Sequence, residues 1–341
     1  GKGAAWEAAD VPDDGYPDGR LAGLAVGKLA ELQAAGKPFF LAVGFAKPHL
    51  PFNAPQRYWD LHDPAAFERA DDGGPVADVS SHAFNDHREL GGYRGMPADE
   101  QVDRDTARTL RHGYYACVSY VDAQVGRVLE AVDRLGLADS TVVVLWGDHG
   151  YSLGERDRWC KATNFERDTR VPLVIRTPGL PEPGVAAGGL VEAVDVYPTL
   201  AELAGLAAPA GLDGRSLGPL LDDPRAAGRA AVLSQFARPF SPDAPEVMGY
   251  SLRTPTHRYT RWVSWPDRRT LAEELYDYAG GPSVAREAAV LIEQRNIAAM
   301  AEQSATRAAL AAQLDDLLAQ RVTVDPATSS APPPKRRKKD R

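Results

Sequence analysis

The run Thr141-Val142-Val143-Val144-Leu145-Trp146 leads straight into Gly147-Asp148-His149-Gly150. It is β-branched, apolar and too short for a helix, so it predicts a buried strand. Helices and strands alternate around it. Asp18 is placed to cap a helix from about Arg20 to Ala35, which Gly36 stops. Pro38 to Phe45 predicts a second buried strand, and a long helix runs from about Asp103 to Leu135. On that helix Tyr115, Val118, Val121, Val125, Val128 and Leu129 recur at helical spacing and mark the expected buried side. Val171 to Ile175 is another short strand, and Asp195 opens a helix through Leu203 that Gly205 ends. This alternation restricts residues 1–206 to an α/β domain, with parallel strands expected.

Beyond residue 206 the pattern changes. Ala231–Phe236, Tyr250–Arg253, His257–Val263 and Glu274–Tyr278 are short strand candidates separated by turns, and an Ala-rich helix follows from about Ser283 to Arg321. Residues 207–325 therefore predict a smaller antiparallel subdomain. Residues 326–341 are Ser/Pro-rich and then basic, which predicts a disordered tail. Residues 60–100 are polar and Gly-rich and predict a surface excursion.

The net charge is -8, and the last seven residues alone hold six bases and one acid, which leaves the remainder at -13. That balance argues against a general nucleic-acid binder. The basic run Lys335 to Lys339 has no interleaved aromatic residues and reads as a solvated tail. No stretch approaches the roughly 20 apolar residues of a membrane span. Two cysteines, Cys117 and Cys160, are too few for a disulfide scaffold. The start at Gly1, with neither Met nor a signal-peptide pattern, fits a fragment or a processed chain.

In open α/β sheets ligands bind beyond the C-terminal ends of the strands. Asp148 and His149 stand at one such end. The pair can hold a divalent cation, or Asp148 can cap the next turn while His149 packs. His49 stands at another end, in Lys47-Pro48-His49-Leu50-Pro51-Phe52. It reads either as a loop histidine bonded to nearby backbone or as a donor to an anion or leaving group. Lys161, after Trp159-Cys160, reads as a solvated loop lysine or as a compact charge for an anionic oxygen. Cys160 has no evident base partner to make it a nucleophile. The favoured combination is a metal-assisted site for an oxyanion substrate.

These residues resemble the sulfatases of the iduronate-2-sulfatase type, within the alkaline phosphatase superfamily. The resemblance is carried by Pro38–Phe45 with Lys47–Phe52, by Tyr120-Val121-Asp122, by Gly147–Gly150, and by Trp159 with Lys161. Val171-Pro172-Leu173, Asp195–Leu200, Met248–Ser251 and Glu274–Asp277 extend it, so that it runs from about Trp6 to Asp277. It implies an alkaline-phosphatase-like α/β fold, with a mixed sheet flanked by helices and a smaller C-terminal antiparallel subdomain. It also implies calcium-dependent hydrolysis of a sulfated carbohydrate or similar sulfate ester, in a periplasmic or extracellular setting. By matching position, Asp148 and His149 become calcium ligands, and His49 and Lys161 contact the sulfate.

Two departures stand beside the resemblance. Neither cysteine lies in the Cys/Ser-x-Pro/Ala-x-Arg motif that yields the family's formylglycine nucleophile, and the Asp-Asp pair of its first strand is not in this chain. Both are expected upstream of Gly1. Arg156 also stands where a His commonly follows Leu-Gly-Glu. Two further readings stay open: a phosphodiester or phosphonate hydrolase of the same superfamily, and a non-catalytic chain that binds sulfated glycans.

Overall fold

The computed structural model describes residues 2–67, 76–84, 88–98, 102–240, 245–278 and 293–320. The N-terminal part opens with two short strands, β1 (Lys2–Ala4) and β2 (Trp6–Ala9), and helix α1 (Pro17–Ala35). Pro17 starts α1 because it lacks only an N–H that the first turn leaves unpaired, and Gly36 closes it in the left-handed region at φ 59°. Asp18 therefore lies inside the helix rather than capping it. Strand β3 (Phe52–Pro55) pairs in parallel with β2 and leads into the short helix α2 (Gln56–Trp59).

The described residues between 60 and 98 are only partly the surface excursion expected. Val76, Ala83, Leu90 and Tyr93 are buried, in the single turn α3 (Arg88–Gly91), in strand β4 (Tyr93–Arg94) beside β1, and in the segments before them. A few apolar residues in a polar stretch are enough to pin it to the core.

Helix α4 (Arg104–Arg134) begins where Asp103 accepts the backbone N–H groups of Asp105 and Thr106. Its buried side is not the valine stripe. Tyr115 and Val118 are exposed, while Ala107, Leu110, Gly113, Ala116, Cys117 and Tyr120 are buried. Small residues win here because the helix lies close over Phe52 and Trp59. A Cβ on Gly113 would come within 2.7 Å of the Trp59 ring.

Strand β5 (Val143–Trp146) follows. The hairpin of β6 (Ser152–Leu153) and β7 (Trp159–Cys160), the turn α5 (Glu166–Thr169) and strand β8 (Leu173–Arg176) come next. β5 pairs with β8, and the pairing is antiparallel, not parallel. Nor is β5 buried, since Leu145 is 44% and Trp146 50% exposed. Pro38–Phe45 joins no sheet among the described residues, which corrects the second buried strand. Phe39 and Leu41 pack onto a cluster of Leu29, Ala131 and Val132 between α1 and α4, while Phe40 is 79% exposed. An apolar run is not sufficient for a strand, because its backbone also needs a neighbouring strand to bond to.

Helix α6 (Val196–Leu203) and the short α7 (Gly218–Asp222) connect to the C-terminal sheet. Its strands are β9 (Val232–Arg238), β10 (Val247–Arg253), β11 (His257–Ser264) and β12 (Thr270–Asp277). They form an antiparallel sheet in the order β12-β11-β10-β9, as the sequence predicts. On one face Leu252, Tyr259 and Leu275 pack under Leu310 and Leu314 of helix α8 (Ser304–Gln320). On the other, Trp262 and Tyr276 meet Phe165 and Ala83. The C-terminal helix starts later than predicted, since described residues 293–300 hold turns and Ala301–Gln303 a single 3-10 turn, while the helix expected over 283–292 lies outside the described residues, as does the tail 326–341. No helix among the described residues is long and apolar enough to cross a membrane.

Candidate active site

His49 sits in a turn fixed from both sides. The buried carboxylate of Asp18 accepts the N–H groups of Ala46 and Lys47, at 3.1 and 2.8 Å. Lys47 turns back to donate its Nζ to the carbonyls of His49 and Pro51, at 3.1 and 2.5 Å. Burial pushes the Lys47 ammonium below the ordinary lysine range. The Lys47–Pro48 and Leu50–Pro51 peptides are both cis. His49 Nδ1 lies 2.5 Å from the carbonyl of Leu50. A carbonyl only accepts, so Nδ1 carries a proton, and Nε2 is the nitrogen left facing the site.

Nε2 meets Lys161, 112 residues later, at 3.1 Å. Lys161 is presented by a kinked backbone, since Cys160 and Ala162 on either side have φ of 67° and 75°. Non-glycine residues in the left-handed region cost energy and persist only when their surroundings hold them. Three groups do so here. Arg238 of β9 donates to the Ala162 carbonyl at 3.0 Å and also to the carbonyls of His82, Ala83 and Phe84. Thr163 donates its N–H and hydroxyl to Asp168, and Trp159 is buried.

The Asp148–His149 turn is tied to the same framework. Gly147 N–H donates to the Pro172 carbonyl, and Gly150 N–H to the Asp168 carbonyl. A Cβ on Gly150 would sit 1.9 Å from the Arg167 carbonyl oxygen, so this position requires glycine. Asp168 also accepts the Ser152 hydroxyl, and thus links the chain after His149 to the chain after Lys161. Burial raises its carboxyl to about 6, against the opposing hydrogen bonds from Thr163 and Ser152.

His149 Nδ1 donates to the Gly150 carbonyl at 2.7 Å, which leaves Nε2 as a lone-pair donor. Asp148 Oδ2 lies 3.7 Å from that Nε2, on a side chain largely open to solvent. A carboxylate oxygen and an imidazole nitrogen at one opening fit a divalent cation. They are two ligands only. Among the described residues no group of three His, Cys, Asp or Glu is placed to hold a metal.

Of the four residues singled out in the sequence, the structure thus brings His49 and Lys161 into contact and Asp148 and His149 beside each other. It adds Glu89, whose Oε1 stands 2.8 Å from Lys161 Nζ and 3.0 Å from His49 Nε2. No spacing in the sequence pointed to Glu89, Asp168 or Arg238, because each acts across more than one loop. Arg156 does not open toward these groups. It is buried, stacked over the Phe165 ring and 3.7 Å from Glu293. Neither cysteine is placed as a formylglycine precursor. Cys117 is buried with its Sγ 3.6 Å from the Asn53 carbonyl and a thiol raised to about 12 by burial, and Cys160 is buried beneath the Tyr151 hydroxyl.

Residues 4–206 match the family model described as Sulfatase, and residues 154–317 the model described as N-sulphoglucosamine sulphohydrolase, C-terminal. The chain is 33% identical over 334 residues to the iduronate 2-sulfatase of Mus musculus, covering 80% of this chain and 60% of the mouse protein. The phosphonate monoester hydrolase of Agrobacterium radiobacter superposes with a TM-score of 0.71 at 25% identity, covering 94% of this chain and 64% of that one. The phosphonate monoester hydrolase SpPMH from Silicibacter pomeroyi gives 0.69 at 26%, covering 89% and 60%. This chain therefore spans about three fifths of the length of these relatives. Its fold is the alkaline-phosphatase-like α/β arrangement with a C-terminal antiparallel sheet. Matched along most of its length by sequence and by structure, the chain belongs to the sulfatase family.

Proposed function

We propose that this chain serves a sulfuric ester hydrolase acting on a sulfated carbohydrate or similar ester. The observation that carries the reading is the meeting of Lys161 Nζ and His49 Nε2 at 3.1 Å, from loops 112 residues apart. Lys161 supplies a compact positive charge against sulfate oxygens. His49, with Nδ1 committed to Leu50, turns Nε2 toward the same place, where it holds or delivers a proton at the ester oxygen. Asp148 and His149 would hold a divalent cation, calcium by the family resemblance, which when bound supplies Lewis-acid charge beside the substrate oxygens. Cys117 and Cys160 do not fit the formylglycine group, so the nucleophile is assigned to neither.

A phosphonate monoester hydrolase is the second reading, favoured by the two structural neighbours of that activity. Paired turnover of an aryl sulfate and an aryl phosphonate monoester by the naturally expressed protein separates the two. The sulfatase reading expects the aryl sulfate to be preferred, and Lys161→Ala to lower its kcat/KM by at least about a hundredfold. Equal turnover by Lys161→Ala would remove Lys161 from the site.

A further inference from the structure

Glu89 is out of place in a site built for anions. One carboxylate oxygen touches both groups that would meet the substrate, at 2.8 Å from Lys161 Nζ and 3.0 Å from His49 Nε2. The contact is not that of a loose surface chain. Glu89 and Lys161 are each about four-fifths covered, with side-chain exposures of 22% and 20%. The next residue, Leu90, is buried in the core with Tyr93 and Trp159, and Lys2 donates to the Glu89 carbonyl. The carboxylate is therefore held at the site by packing of its own backbone.

A fixed negative charge next to the substrate anion acts on the number of charges that anion brings. A sulfate ester carries one negative charge, and so does a phosphonate monoester. A phosphate monoester carries up to two near neutral pH, because its second proton leaves near pH 6. Lys161 attracts both kinds, while Glu89 repels the second charge of the dianion in a half-buried setting where screening is weak. Discrimination by repulsion excludes a competitor without requiring tighter contacts to the right substrate. We propose that Glu89 is a specificity-determining residue that admits monoanionic esters and turns away dianionic ones. The proposal rests on the reading of Lys161 and His49 as the substrate-anion site, and holds for either enzymatic reading.

The test is calorimetric binding of methyl sulfate and methyl phosphate at pH 8 to the full chain, to Glu89→Gln and to Lys161→Ala. The unsubstituted chain should bind methyl sulfate more tightly than methyl phosphate. Glu89→Gln should shrink the ratio of the two dissociation constants about tenfold, chiefly by tightening methyl phosphate, and Lys161→Ala should weaken both. Glu89→Ala reads the same ratio if the glutamine variant does not fold. A ratio unchanged within twofold, with methyl sulfate binding still lost in Lys161→Ala, would overturn the role of Glu89 and leave the anion site standing. If Lys161→Ala binds methyl sulfate as well as the unsubstituted chain, or if neither ester binds, the anion site itself falls and the inference with it.

Discussion

The two halves of the molecule use similar sequence signals to different ends. In the C-terminal sheet all four strands pair along their length, with one register shift between Trp262 and Val263, and both faces are covered, one by α8 and the other by Phe165, Ala83 and a buried ionic network. In the N-terminal half, among the described residues, β5 pairs only with β8, Val174 is 57% exposed, and the run Pro38–Phe45 has no ladder partner. Yet the N-terminal half holds His49, Asp148, His149 and Lys161. The contrast separates two jobs. The C-terminal sheet is a support, and Arg238 of its β9 grips the carbonyl after Lys161. The site itself lies on loops and turns.

The support should be the costlier half to damage. Arg258 is almost fully buried and donates to Glu293 at 2.8 Å and to Glu166. Removing one partner of a buried pair leaves an uncompensated charge. Arg258→Ala should lower stability by about 3–5 kcal/mol, read as a fall in the urea midpoint at constant slope. A loss below about 1 kcal/mol would mean that the network is solvated and that the two halves are less different than the structure implies.

The same region should set the pH dependence of stability. Glu274 is buried, accepts from Trp262 Nε1 at 2.8 Å and from the Tyr276 hydroxyl at 3.1 Å, and is raised by burial to about 7 from 4.5. The folded chain holds this proton more tightly than the unfolded chain does. The stabilisation is therefore complete below about 4.5 and is lost as pH rises through about 7. The slope attributable to Glu274 approaches about 1.4 kcal/mol per pH unit inside that window, on top of a parallel contribution from Asp168 between 3.8 and about 6. Glu274→Gln should flatten the profile between pH 5 and 7, by roughly 2–3 kcal/mol in all. An unaltered profile would place the titrating group elsewhere.

Gly249 tests the packing of the sheet alone. Its partner across β10 and β11 is Trp262, and a Cβ on Gly249 would come 2.3 Å from that ring. Gly249→Ala should cost about 1–3 kcal/mol through forced displacement of the indole, with a change in tryptophan fluorescence. A neutral substitution would show that the face beneath Trp262 has room to give.

These same contrasts explain what the sequence could reveal. The antiparallel sheet was legible because alternation along β9 to β12 matches a sheet whose neighbours are all close in the chain. Helix α4 was legible in extent but not in face, because small residues such as Gly113 and Ala116 are buried on it where Tyr115 and Val118 were expected to be. The candidate site was legible where the residue type itself carries the chemistry, as with His49, Asp148, His149 and Lys161. It was not legible where function depends on reach. Glu89 meets Lys161 across 72 positions, and Arg238 meets Ala162 across 76. No local pattern encodes either contact.

The smallest expected effect lies in the unpaired run, and it sharpens the comparison within the N-terminal half itself. Phe40 and Phe52 are the same residue a dozen positions apart, but Phe40 is 79% exposed and Phe52 fully buried. Phe52 packs edge-on against Tyr114 and Tyr151, with ring centroids 5.7 and 6.2 Å away. Truncating a buried phenylalanine loses both transfer energy and packing, so Phe52→Ala should cost about 3–5 kcal/mol. Phe40→Ala loses neither and should stay within about 0.5 kcal/mol. Urea midpoints of the two variants give the answer directly. If Phe40→Ala costs as much as Phe52→Ala, the outer face of Pro38–Phe45 is covered in solution, and the division into a covered support and an open site-bearing half would have to be redrawn.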